Sequence, residues 1–130
     1  MTEIDEPQGE LTLRTLAMPA DTNPAGDIFG GWVLAQMDAA AGIRSSERAK
    51  GRTVTAAVKE VSFKSPVKVG DTVCIYTSIS QVGRTSMTLY VECWVRRQFT
   101  QERQKVTDAH FIMVALDEKG APRRVEPETV

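Results

Sequence analysis

The chain is poor in the side chains that most metal, redox and charge-relay chemistry needs. It has a single histidine, His110, and two cysteines, Cys74 and Cys93, which lie 19 positions apart with no CxxC pair. A structural zinc site draws several such ligands from short spacings, so no metal site is expected. Both cysteines fall in apolar, strand-like runs and read as buried thiols of a reducing compartment. Excess charge is lacking as well: 16 basic and 17 acidic residues leave a formal net charge of −1. Such a chain has no general field to draw it to nucleic acid or to an anionic membrane, and only a local patch could do so. No apolar run approaches the roughly 20 residues of a membrane span. The N-terminus carries acids and no base before Arg14, so no secretory leader is read there. A cytoplasmic protein with no nucleic-acid or membrane partner is expected. Its 130 residues suit one domain over 1–130, with 1–9 and 121–130 flexible.

What is present reads as one strand, one long helix and four more strands. Glu10 to Ala17 alternates Leu11 and Leu13 with polar residues, as a half-buried strand does. Met18 to Gly26 is dense in Pro, Asp, Asn and Gly and reads as a loop. Asp27 to Lys50 reads as a helix, with Asp27 as N-cap and Gly51 as its stop. Between Ile28 and Ile43 the only charged residue is Asp38, so this part of the helix is expected to be buried all round. In Thr53 to Lys64 the apolar set slips from Val54, Ala56 and Val58 to Val61 and Phe63, which points to a bulge near Lys59 or Glu60. Val73 to Val82, Ser86 to Arg97 and Gln104 to Leu116 complete the set, and the charged tail from Asp117 is expected to fray. The order defines an α+β protein, a sheet wrapped on one helix. One helix covers only one sheet face. Tyr90, Trp94, Val54 and Ile112 fall on the other, so a second subunit is expected to cover it.

Asp38 is the residue that most needs a reason. At 100° per residue it shares a stripe with Gly31, Leu34, Ala35, Ala41, Gly42 and Ser45. An ionised carboxylate there must be paired or hydrogen-bonded. Two readings stand on chemistry alone: a structural carboxylate satisfied by a cross-chain partner or a water, or an acid–base group facing a pocket that the small neighbours leave open. Gly30 and Gly31 add a second element. The first turn of a helix has N–H groups without intrahelical partners and a positive dipole end, and residues without a Cβ let a carbonyl approach them. That suits the oxyanion of acyl transfer, and equally a close helix–strand crossing. His110 reads as a structural strand histidine, and no GxSxG, Walker or GxGxxG pattern occurs. The turn Gly83–Arg84–Thr85–Ser86 offers a guanidinium, two hydroxyls and backbone donors; it is either a phosphate site or a plain hairpin.

The segment PADTNPAGDIFGGWVLAQMDAAAG, Pro19 to Gly42, closely resembles the signature of hotdog-fold acyl-CoA thioesterases, specifically the short YciA-like hydrolases. The similarity continues through Thr53 to Tyr76 and through Val82 to Val95, and its most specific part is the N-x-x-G-x-x-F-G-G run joined to Met-Asp. The resemblance implies a five-stranded antiparallel sheet around one long helix. It also implies protomers paired edge to edge and assembled as trimers of dimers, and hydrolysis of acyl-CoA to a fatty acid and coenzyme A. By the same resemblance Asp38 matches the catalytic acid, Asn23 the asparagine of the loop before the helix, and Gly31 the glycine whose N–H faces the thioester carbonyl. The site would lie between two chains, with Asp38 acting on a water or attacking directly. Gly30 would line it, and no cofactor would be needed beyond the coenzyme A of the substrate. Its phosphates would meet Arg84, Thr85 and Ser86, with Lys64 as the other candidate. The rival functions are a non-catalytic acyl-binding module, which does not require Asn23, Gly31 and Asp38 together, and a hydratase, which ordinarily needs a histidine beside a carboxylate.

Overall fold

The structure, a computed structural model, describes residues 6–128. Five strands, β1 (Glu10–Leu16), β2 (Thr53–Phe63), β3 (Thr72–Val82), β4 (Ser86–Arg96) and β5 (Arg103–Ala115), form one antiparallel sheet in the order β1-β3-β4-β5-β2. One helix, α1 (Gly30–Ala49), lies on it. This is the hotdog arrangement.

The core is the alternation of β4 and β5 set against one side of α1. Met87, Leu89, Val91, Cys93 and Val95 of β4, and Val106, Ala109, Phe111, Met113 and Ala115 of β5, are buried with Val33, Met37, Ala40, Ala41 and Ala49 of the helix. Phe111, 1% exposed, contributes about 2–3 kcal/mol by this burial. Cys74 and Cys93 are free and buried, and burial pushes the Cys93 thiol up to about 12, which keeps it protonated and unreactive.

Both helix ends differ from expectation. Asp27 is not the cap: its carboxylate pairs with Lys68 instead, and the helix begins behind Phe29, which offers no side-chain cap. At the other end Lys50, not Gly51, takes the left-handed conformation, with φ 56°. That costs a non-glycine residue roughly 1–2 kcal/mol. Gly51 lies against the end of the Arg123 side chain: a Cβ there would come 2.7 Å from Arg123 Nη2. The same nitrogen donates to Ala49 O at 2.6 Å, closing a carbonyl left open at the helix end.

The bulge expected in β2 is present. Lys59 pairs with His110 and Ser62 with Asp108, and Glu60 sits at φ 55°. A second irregularity falls between Thr55 and Ala57. Residues 1–5 and 129–130, within the ends expected to be flexible, lie outside the described residues. The rest of those ends is tied down. Gln8 N donates to Glu92 Oε1 at 2.9 Å. Leu116 bridges Pro122, Val125 N donates to Arg84 O at 2.8 Å, and Val125 is only 5% exposed. From Asp117 onward the tail is thus in contact with the rest of the chain through the buried Val125 side chain and through backbone bonds.

Candidate active site

Asp38 lies in the middle of α1 on the side turned away from the core. Gly31, Ala35, Asp38 and Ala39 are exposed, while Met37, Ala40 and Ala41 are buried. The expectation of a helix buried on every side is not met, because a single sheet covers only one side of it. Two members of the expected stripe are buried after all: Ala41 in the core, and Ser45, whose Oγ meets Thr53 Oγ1 of β2 at 2.8 Å. The stripe thus runs from an open half at its N-terminal end to a half closed by β2.

The partner of Asp38 inside the protomer is Thr55 of β2, whose hydroxyl donates to Asp38 Oδ1. Thr55 pairs with Met113, a core residue, and this register turns its side chain toward the helix. Sequence reading missed Thr55. Its inward direction follows from an alternation that the two irregularities of β2 obscure. The bond engages one carboxylate oxygen, and among the described residues Oδ2 has no hydrogen-bond partner.

Gly31 is open: a Cβ there would meet nothing within 4 Å. Gly30 is in ordinary contact, since a Cβ would come 3.4 Å from the Phe63 ring. Both begin the helix, so their N–H groups point out of its N-terminus. Asn23 sits in the preceding loop, half-buried. Its Oδ1 accepts from Ala25 N at 3.0 Å and Asp27 N at 3.1 Å, which turns the loop and leaves the carboxamide N–H2 to donate elsewhere. Among the described residues no hydrogen bond joins Asn23 to Asp38. Seven residues of helix separate Gly31 from Asp38, an axial distance of ~10 Å. One thioester carbonyl cannot touch both in the same protomer.

The two groups of phosphate candidates are far apart. Thr85 O accepts from Ala115 N at 2.9 Å, so the Arg84–Thr85–Ser86 turn lies at the C-terminal end of β5. Lys64 N donates to Val106 O at 2.7 Å, which puts Lys64 near the start of that strand, ~30 Å away at 3.4 Å per residue. Lys64 Nζ lies 3.7 Å from Asp108 Oδ2 and 3.4 Å from Ser62 Oγ. Arg84 is exposed.

Of the apolar residues expected on the outer face, Val54 is open, 45% exposed, but the middle of that face is not. Trp94 is 5% exposed within the protomer, and the sheet's outer face carries a charge network in place of a greasy patch. Lys105 Nζ lies 3.1 Å from Glu92 Oε2 and 2.8 Å from Asp108 Oδ2, and Tyr90 donates to Asp108 Oδ2 at 3.2 Å. Burial alone would raise the Glu92 carboxyl, but the Gln8 N–H, the Trp94 indole, Lys105 and Tyr90 outweigh it and hold it below its usual range. Burial, reinforced by Glu92, pushes Tyr90 up to about 12 against the opposing pull of Lys105. Val58 and Phe63 of β2 are among the exposed apolar residues, at 42% and 53%. Val58 pairs with Phe111 and Phe63 with Thr107, so both face the helix layer, with the Phe63 ring beside Gly30. Among the described residues no cluster could hold a metal ion.

Taken together, sheet, helix and exposed carboxylate define a hotdog protein with a carboxylate on the open flank of its helix. Residues 25–98 match the thioesterase superfamily, and the chain belongs to that family. It is 50% identical over 127 residues to the acyl-CoA thioester hydrolase YciA of Salmonella typhimurium, covering 95% of this chain and 96% of that one. A crystal structure of a hexameric broad-specificity acyl-coenzyme A thioesterase, in an aspartate-to-alanine mutant form, superimposes with a TM-score of 0.91 at 47% identity, over 94% of this chain and 90% of that one. The hexameric thioesterase of Yersinia pestis also gives a TM-score of 0.91 at 47% identity, over 95% of this chain and all of that one, 100%.

Proposed function

We propose that this chain is an acyl-CoA thioester hydrolase that works as a homo-oligomer, a hexamer built from dimers, with each active site shared by two protomers. The observation that carries the reading is Asp38: a carboxylate held at one oxygen by Thr55, on an open helix flank of small residues, in a chain of the thioesterase superfamily. The ~10 Å of helix between Gly31 and Asp38 supports the sharing. A carbonyl resting on the Gly31 N–H of one protomer meets the partner's Asp38 when two helices face each other across the exposed flank.

Asp38 Oδ2 takes a proton from a water as that water attacks the carbonyl carbon. The tetrahedral oxyanion is received by the Gly31 N–H at the positive end of the helix, and Asn23 orients the water or the substrate through its free amide. The C–S bond then breaks. The proton held on Asp38 goes to the departing thiolate, so that the free acid and coenzyme A leave. No step requires a metal or a redox group. Gly30 lines the same entrance. Arg84, with Thr85 and Ser86 beside it, receives the phosphates of coenzyme A; Lys64 is already engaged with Asp108. Among the described residues no helix is long and apolar enough to cross a membrane, and we place the protein in the cytoplasm, where acyl-CoA is made and free cysteines stay reduced.

A panel of acyl-CoA substrates followed by thiol release tests the reading. Turnover of several chain lengths is expected. Binding of acyl-CoA without thiol release would make the chain an acyl-CoA-binding module instead.

A further inference from the structure

Asn23 stands on a turn that is closed on itself. Asn23 N donates to Asp27 O at 2.7 Å and Gly26 N to Asn23 O at 2.9 Å, while Asp27 N donates to Asn23 Oδ1 at 3.1 Å. Asn23 and Asp27 therefore hold each other, and the place of Asp27 sets the direction of the Asn23 carboxamide. A turn joined in this way moves as one piece. Whatever fixes the piece to the rest of the chain decides where the amide points.

Among the described residues, 23–28 have two polar ties to other elements, and both come from the connection between β2 and β3. Ile28 N donates to Val67 O at 3.0 Å, at the end of the turn where Ile28 is buried. The Asp27 carboxylate is paired with Lys68 Nζ. One point of attachment leaves a closed turn free to swing about it, and a second point removes that freedom. Lys68 supplies the second.

The lysine works from a firm base. Lys68 N donates to Asp71 Oδ2 at 2.8 Å, and Asp71 N donates to Lys68 O at 3.0 Å. Asp71 is 2% exposed and its carboxylate is paired with Arg97. The Arg97 guanidinium also donates to Pro66 O at 3.2 Å and to Gln104 Oε1 at 2.8 Å. A continuous line of contacts thus runs from the end of β4, through Arg97, Asp71 and Lys68, to Asp27 and the Asn23 turn.

Stability is a poor reason for the last link. The Lys68 side chain is 55% exposed and that of Asp27 34%, and ion pairs so exposed contribute little to stability. Asp27 also lies just ahead of a helix that begins without a side-chain cap. An unpaired carboxylate there is drawn to the free N–H groups of the first turn. Held by Lys68, it leaves those groups to the substrate.

We infer that Lys68 is a positioning residue for hydrolysis: through Asp27 it holds the Asn23 turn in place beside the N-terminus of α1. The inference rests on the acyl-CoA hydrolase reading for the role of Asn23. Lys68 itself touches no reacting atom, and its effect passes through the turn.

The test is steady-state thiol release from one acyl-CoA by the intact oligomer, with kcat and KM separated. Lys68→Ala and Asp27→Ala are each expected to lower kcat by about tenfold to a hundredfold, the scale of a small misplacement near the reacting atoms. KM and Tm should change little. Lys68→Arg, which can reach the same carboxylate, should recover most of the loss. The double variant Lys68→Ala/Asp27→Ala should be no slower than either single one, and Lys68→Ala should slow Asn23→Ala no further at high enzyme concentration, because each pair acts as one unit. Hydrogen exchange of residues 22–29 should quicken in Lys68→Ala and return in Lys68→Arg. A wild-type kcat in Lys68→Ala would overturn the inference. A raised KM with unchanged kcat would put the lysine on the substrate and overturn it as well. So would a wild-type rate in Asp27→Ala beside a slow Lys68→Ala, since the lysine would then act by its own charge. A wild type that releases no thiol would remove the hydrolase reading and the catalytic role of Lys68 with it, while the exchange pattern would still report the clasp on the turn.

Discussion

Replacing Asp38 by Asn tests the chemistry with little disturbance to the fold. The side chain is exposed in the protomer, and substitutions at such positions usually stay within about 0.5 kcal/mol of wild-type stability. The amide is isosteric, and the Thr55 hydroxyl, which donates to Asp38 Oδ1, can donate to the amide oxygen in the same way. Geometry and oligomer should therefore persist. What is lost is the proton acceptor. Loss of a positioned general base lowers rates by about 10²–10⁴, equivalent to ~3–5 kcal/mol of transition-state stabilisation at 1.36 kcal/mol per decade. The assay is thiol release from a short acyl-CoA under saturation, with the oligomer checked by light scattering. The Thr55→Val variant calibrates it: the carboxylate stays but loses its one protomer contact, and kcat should fall by about tenfold, less than in Asp38→Asn. A soluble Asp38→Asn oligomer that turns over near the wild-type rate would refute the assignment and return Asp38 to the role of a structural carboxylate.

Two further outcomes follow from the same geometry. Asn23→Ala and Asp38→Ala should each be nearly inactive, and mixed oligomers of the two should regain part of the activity, because one shared site per dimer then keeps both residues; no recovery, with subunit exchange verified by mass, would place both in one chain. Glu92→Gln should alter acid stability. The folded Glu92 carboxyl lies below its ordinary value of 4.5, so its contribution is complete above about that pH and is lost as the pH falls through the folded value. The variant should lose about 1–3 kcal/mol at neutral pH, as for an unmatched buried hydrogen-bonding group, and show a flatter fall in Tm as the pH is lowered into the acid range; a melting profile parallel to the wild type would contradict this.

The parts of the fold readable from sequence were those set by local period. The clean alternation of Met87, Leu89, Val91, Cys93 and Val95 against Tyr90, Glu92 and Trp94 specifies β4 and its core face, and the structure follows it. The slip in β2 announced its bulge for the same reason. The boundaries of α1 were misread because both depend on distant residues: Asp27 is diverted to Lys68, and Gly51 lies against Arg123. The contacts of the tail were not legible because one buried valine and three backbone contacts do not show as a pattern in fourteen charged and proline-bearing residues. Thr55 was invisible as a neighbour of Asp38, since a contact between residues 17 apart in sequence depends on the register of an edge strand.

The burial of α1 was misjudged for a more instructive reason. The sequence from Ile28 to Ile43, with its one acid, does describe a helix that avoids water, yet Gly31, Ala35, Asp38 and Ala39 are open in the protomer. Sequence reports burial in the assembled state, in which the chain was selected, whereas a single chain displays only its own share of that burial. The two disagree on one flank of the helix and along β2, where Val58 and Phe63 are also exposed. On the proposed reading, that disagreement marks the flank a second subunit covers. It coincides with the carboxylate and with the open helix N-terminus. An exposed Asp38 in water would have little power to act on a thioester; covered by a second protomer it gains a dry, fixed setting in which its charge and the helix end act at full strength. Dimer formation is on this account a catalytic step in itself, and residues such as Val58 that never touch substrate should influence turnover through it.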